Sequence, residues 1–155
     1  MVMQVFGPKL ERDLARIEQD GSIRIDPLLS GPAAKALPDA IALIQDTFKQ
    51  FSQKCVWIFK ICICYDPVHR WRGEDWSYVH EGYDFMQLLM WSTATECKEL
   101  ERLTIDHFHG TTGCANQSRG GDGLADSDET CYCYIVFADV SSPQWGKRRL
   151  RRRIV

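Results

Sequence analysis

Three side chains could together handle a phosphodiester: Arg70, Glu101 and Asn116. A guanidinium is a planar fork whose donors match two phosphate oxygens and offset charge that develops on them. A glutamate is a hard oxygen ligand, and Mg²⁺ or Mn²⁺ needs only one or two such carboxylates beside its waters. An asparagine amide, donor and acceptor at once, can orient a loop or a substrate. Lys60, Arg72 and Arg119 offer further cations for a phosphate backbone.

Helices and strands must carry these groups to one place. Residues 8–20 have helical spacing, with Leu10, Leu14 and Ile17 on one stripe and Gly21 as the stop. Residues 21–37, rich in Gly, Ser and Pro, read as a loop, and Pro38-Asp39 opens a second helix through about Gln53. The apolar run Cys55 to Cys64, ended by Asp66-Pro67, predicts a buried central strand. Asp66 then caps a short helix with Pro67 at its first position, placing Arg70 one turn in. A second strand spans about Asp84 to Trp91, and Ser92 or Thr93 caps a helix from Ala94 to about His109. On that helix Glu101 lies beside the apolar stripe of Cys97, Leu100, Leu103, Thr104 and Phe108. A glycine-rich loop, 110–123, precedes a last strand from Cys131 to Ala138. The order predicts a small α+β domain with a central, mainly antiparallel sheet over 54–140. A helical N-terminal extension, 1–53, would precede it, and a basic tail, 141–155, would follow.

The net charge of −2 hides that tail. Lys147, Arg148, Arg149, Arg151, Arg152 and Arg153 crowd the end of the chain, so the body is more acidic than the total indicates. Nucleic acid would therefore be held by a local patch or by the tail, not by the overall field. No apolar run is long enough to span a membrane, and the first residues lack a signal-peptide pattern; both predict an intracellular protein, cytoplasmic or nuclear. Seven cysteines, an odd number, do not suit a disulfide framework. Alternate strand residues point to one face, so Cys62/Cys64 and Cys131/Cys133 could approach a tetrahedral zinc set if their strands were neighbours. Buried free thiols are the favoured reading.

The stretch from Phe59 to Asn116 resembles the GIY-YIG nuclease superfamily, near variants whose second motif reads Lys-Ile-Gly-Ile-Thr. Lys60-Ile61-Cys62-Ile63-Cys64 stands at that motif, with Cys62 in place of the glycine. The family's essential arginine, eight residues after the glycine, falls on Arg70, with Trp71 as the aromatic after it. Its metal-binding Glu-x3-Ile pattern falls on Glu101 and Ile105, and its asparagine on Asn116. The departures concern the tyrosines that position or deprotonate the attacking water. The second-motif tyrosine falls at Phe59 or Lys60, and upstream Phe48, Phe51 and Trp57 also lack a hydroxyl. Tyr65 and His69 are the nearest substitutes.

The resemblance implies an endonuclease that cleaves DNA with one Mg²⁺ or Mn²⁺ ion held by Glu101. Two other readings stand beside it: a nucleic-acid-binding module of the same fold with degraded chemistry, and a protein-interaction domain. Taken singly, the residues have bland uses. Arg70 could stack on Trp71 or pair with Asp66, Glu101 could pair with Lys98, and Asn116 could serve its turn.

Overall fold

The computed structural model describes residues 8–53, 56–75, 77–116, 129–141 and 145. The elements run α1 (Pro8–Asp20), β1 (Ile23–Arg24), α2 (Ala33–Ser52), β2 (Trp57–Cys64), α3 (Pro67–Arg72), α4 (Tyr78–Glu81), β3 (Phe85–Thr93), α5 (Ala94–Phe108) and β4 (Thr130–Asp139). Four strands form one sheet in the order β1-β3-β4-β2. β4 pairs antiparallel with both β2 and β3, and β1 adds a short parallel edge to β3. The fold is α+β with a mainly antiparallel sheet, as the element order predicts.

Strict alternation along β4 divides the core. Cys131, Cys133, Ile135 and Phe137 face one side, where they meet Ala36, Ala40 and Ile44 of α2 and Leu100 and Phe108 of α5. Tyr132, Tyr134, Val136 and Ala138 face the other, against Leu10 and Ile17 of α1, Trp71 of α3 and Tyr78 of α4. Each fully buried Leu or Ile contributes about 1.5–3 kcal/mol. Helices α1 and α2 therefore cover opposite faces of one sheet. Residues 8–53 belong to the same core and do not form an appendage to it.

Two expectations about placement need correction. β2 is an edge strand, not a central one. Helices bury both its faces, and the segment Gly113–Asn116 runs along its open side. Phe59 N–H donates to the Gly113 carbonyl at 2.8 Å, and Ala115 N–H to the Phe59 carbonyl at 2.8 Å. An apolar run reports burial, and burial here comes from helices and a loop. The second helix also starts at Ala33, ahead of Pro38, which lies inside it. The first N–H of that helix, which has no partner within the helix, finds a carboxylate from elsewhere: Ala33 N–H donates to Glu96 Oε2 at 2.6 Å. Asp66 and Thr93 cap α3 and α5 as their positions predict, accepting from His69 N–H and Glu96 N–H.

Candidate functional site

Arg70 sits one turn into α3, on the side of the sheet that carries the tyrosines. Its guanidinium carbon lies 5.8 Å from the centre of the Tyr78 ring. It hydrogen-bonds the Tyr134 hydroxyl, and that contact holds the guanidinium pKa above its usual value although burial acts to lower it. From there the bonds continue inward. The Tyr134 hydroxyl donates to the Tyr78 hydroxyl at 3.1 Å, and Tyr78 donates to Cys62 Sγ at 3.0 Å. Cross-strand pairing of Cys62 with Tyr134 fixes the geometry. Both tyrosines are fully buried, and burial is the main cause of pKa values pushed well above the phenol range. They remain protonated donors. Arg70 itself is exposed, so the guanidinium rests on a buried relay while keeping access to solvent.

Glu101 lies on α5, over the opposite face. It is one of few buried charged residues, 8% exposed. Its field raises the thiol pKa of Cys133 and of Cys62, in each case after burial. Cys62 also feels Lys60, whose positive charge acts the other way. Arg70 and Glu101 thus belong to helices on opposite faces, and what they share is the edge strand β2: the Cys62 thiol lies within electrostatic reach of both.

Asn116 has a definite and different place. Its amide donates from Nδ2 to the Ile61 carbonyl and accepts the Ile61 N–H at Oδ1, both at 2.9 Å. One side chain thereby copies a strand's pairing and closes the edge of β2. It orients the loop. Arg72, half-exposed, is likewise engaged within the fold. Its guanidinium forms an ion pair with Asp20, whose side chain is 4% exposed, and reaches Ser22 Oγ at 3.2 Å. The pair clips the end of α1 to α3. Asp66 takes Arg16 at 3.3 Å while it caps α3, and Trp71 is buried in the core. Arg119 and the basic tail lie outside the described residues, as does Cys55. Lys60 lies half-buried on the edge strand β2, and Arg70 is exposed on α3.

The zinc arrangement fails on geometry. β2 and β4 are neighbours, but Cys62 pairs with Tyr134 and Cys64 with Tyr132, so Cys62/Cys64 and Cys131/Cys133 point to opposite faces. All four are free thiols. Among the described residues, no group of three or more His, Cys, Asp or Glu side chains gathers as a metal site. A single carboxylate still suits one Mg²⁺ or Mn²⁺ that keeps several waters, and the thiol of Cys62, raised by burial, is not a competing ligand at neutral pH. Glu101 is the one carboxylate that the sequence resemblance assigns to such an ion, and it is 8% exposed.

The hydroxyls are what sequence reading missed. The substitutes offered by the sequence are Tyr65 and His69, whereas the hydroxyls found beside Arg70 are those of Tyr78 and Tyr134. The signal was present in the alternation of Tyr132 and Tyr134 along the last strand, but its value depended on β4 lying beside β2. No protein-family model matches this chain, and no curated protein or solved structure matches it. No described helix is long and apolar enough to cross a membrane.

Proposed function

We propose that this chain is a GIY-YIG-like endonuclease that cleaves DNA phosphodiester bonds with one divalent ion. The supporting observation is Arg70: an exposed guanidinium anchored on the Tyr134–Tyr78–Cys62 hydrogen-bond chain at the edge of β2. A fixed, desolvated backing limits the rotamers available to an arginine, so less freedom is lost when its fork engages a phosphate. Arg70 would hold two nonbridging oxygens and stabilise charge as it grows on them. Lys60, on the same strand face as Cys62, would bind the adjoining backbone. Glu101 would be the ligand for Mg²⁺ or Mn²⁺, whose chemistry when bound is Lewis-acid polarisation of a phosphate; it lies across the sheet from Arg70, so the two serve one phosphate only where a nucleic-acid strand passes around the edge of β2. Tyr134 and Tyr78 stay protonated and serve as positioning residues for Arg70. The exposed imidazole of His69, next to Arg70 on α3, is the candidate base.

Plasmid nicking with Mg²⁺ or Mn²⁺ tests this reading. Glu101→Gln and Arg70→Ala should each abolish nicking in a folded protein, and Tyr134→Phe should reduce it about 10–100-fold by loosening Arg70. No metal-dependent nicking by the wild type would overturn the enzyme.

A second reading, a DNA-binding module without cleavage, is favoured by one observation. The two hydroxyls nearest Arg70 are buried and held protonated, so neither can accept a proton from water. Salt-dependent DNA binding that Arg70→Ala and Lys60→Ala weaken, with no cut product, would select it.

A further inference from the structure

A cavity of about 250 Å³ opens between α2 and the end of α5, on the face away from Arg70. Phe59 and Phe108 form a buried floor with Phe48 beside them. Their rings meet edge to face, with centroids 5.3 Å apart for Phe48–Phe59 and 5.5 Å for Phe59–Phe108. An apolar cavity of about 150 Å³ already admits benzene. This one has room for a fused bicyclic ring.

The rim argues against a plain hydrocarbon. Gln45, His107 and Thr112 line it and are exposed. Neither the Gln45 amide nor the Thr112 hydroxyl has a hydrogen-bond partner among the described residues. An amide presents a donor and an acceptor side by side. Among purines its bidentate match is adenine, through the N6 amine and a ring nitrogen, whereas guanine's O6/N7 edge calls for Arg or Lys. No Arg or Lys lines the cavity. A single pyrimidine ring would leave much of the volume unfilled.

We propose that this cavity is a binding site for an adenine ring, packed against the half-buried Phe48 and read by Gln45. The inference stands apart from the nuclease reading, since the ring could belong to a free nucleoside or to an unpaired position in a strand.

The test is titration of the full chain, followed by amide NMR, with adenosine, guanosine and a short oligo(dA). Adenosine should give saturable shifts centred on Gln45, Phe48 and Thr112, with guanosine about tenfold weaker. Gln45→Leu, a change at an exposed helix position, should weaken adenosine about tenfold and remove the preference over guanosine. Thr112→Val serves as a second rim variant and should also weaken adenosine. Tighter binding of oligo(dA) than of adenosine would support the site and assign the ring to a strand; equal or weaker binding would support it and assign a free nucleoside. Absence of saturable shifts at these residues would overturn the proposal, as would equal affinity for both nucleosides or unchanged affinity in both rim variants.

Discussion

Replacing Asn116 separates a structural role from a catalytic one. Its amide makes both available backbone bonds to Ile61, each 2.9 Å long, and Ile61 is 1% exposed. Asn116→Ala would orphan one N–H and one carbonyl. An unsatisfied buried group costs about 1–3 kcal/mol. Asn116 is itself only half-buried, so water can reach part of the opened edge, and the lower half of that range applies to each group. The sum is about 2–4 kcal/mol, against a total stability of about 5–15 kcal/mol for a domain. At about 2–4 °C per kcal/mol for a chain of this size, Tm should fall by about 5–15 °C. Thermal melts and urea titrations would measure the loss, and hydrogen exchange should show the Ile61 amide exposed ahead of its neighbours. Asn116→Asp adds a pH signature. Its carboxylate would face the Ile61 carbonyl, so the folded state favours the protonated form and raises the pKa. Stability should be present at acid pH and lost as pH rises through that raised value. A Tm within about 1 °C of wild type for Asn116→Ala, with nicking abolished, would refute the edge-closing role and return the residue to the catalytic set.

Three further outcomes follow from the same geometry. Burial alone would raise the pKa of Asp20, yet the bonds from Arg72 and from the Ser22 N–H hold it below its usual value. That stabilisation is present above the unfolded carboxylate pKa of about 3.9 and is lost as pH falls through the folded value. Arg72→Ala should therefore cost about 1 kcal/mol at neutral pH, discounted because Arg72 is half-exposed, and the gap from wild type should narrow in urea melts at about pH 3. Gly113 has φ of +94°, and a Cβ there would run into the Phe48 ring. Gly113→Ala should lower stability by at least about 1 kcal/mol and weaken adenosine binding with it. Burial pushes the thiols of Cys64 and Cys133 well up. Mass-mapped alkylation at about pH 8 should leave both unmodified in the native protein and modify both in urea.

What could be read in the sequence is what depends on near neighbours. Thr93 and Asp66 could be placed as caps because a cap answers to backbone three residues away. Helix α5 showed its buried stripe through 3.6-residue spacing, and β4 showed its two faces through alternation. What could not be read depends on partners chosen by the sheet. Pro38 suggested a helix start because its missing N–H costs least in a first turn, but Glu96, far along the chain, supplies an acceptor that lets α2 begin at Ala33. The Cys-x-Cys pairs looked alike, yet a register that sets Cys62 against Tyr134 places them on opposite faces. The same register brings the Tyr134 hydroxyl to Arg70.

The position of β2 ties these points together. A strand at the rim of a sheet must satisfy its outer N–H and C=O groups or invite another chain to pair there. A complete fifth strand would meet that demand but would extend the sheet past Lys60, Cys62 and Arg70. A four-residue segment ending in one side-chain amide meets it with far less bulk, so the backbone of β2 is closed at Phe59 and Ile61 while Lys60 and Cys62 stay half-buried. On this argument Asn116 would matter to any phosphate binding at Arg70 through the access it preserves. Its effect on any activity should therefore follow the order of the β2 edge, as read by exchange at Ile61, and not the chemistry of the amide itself.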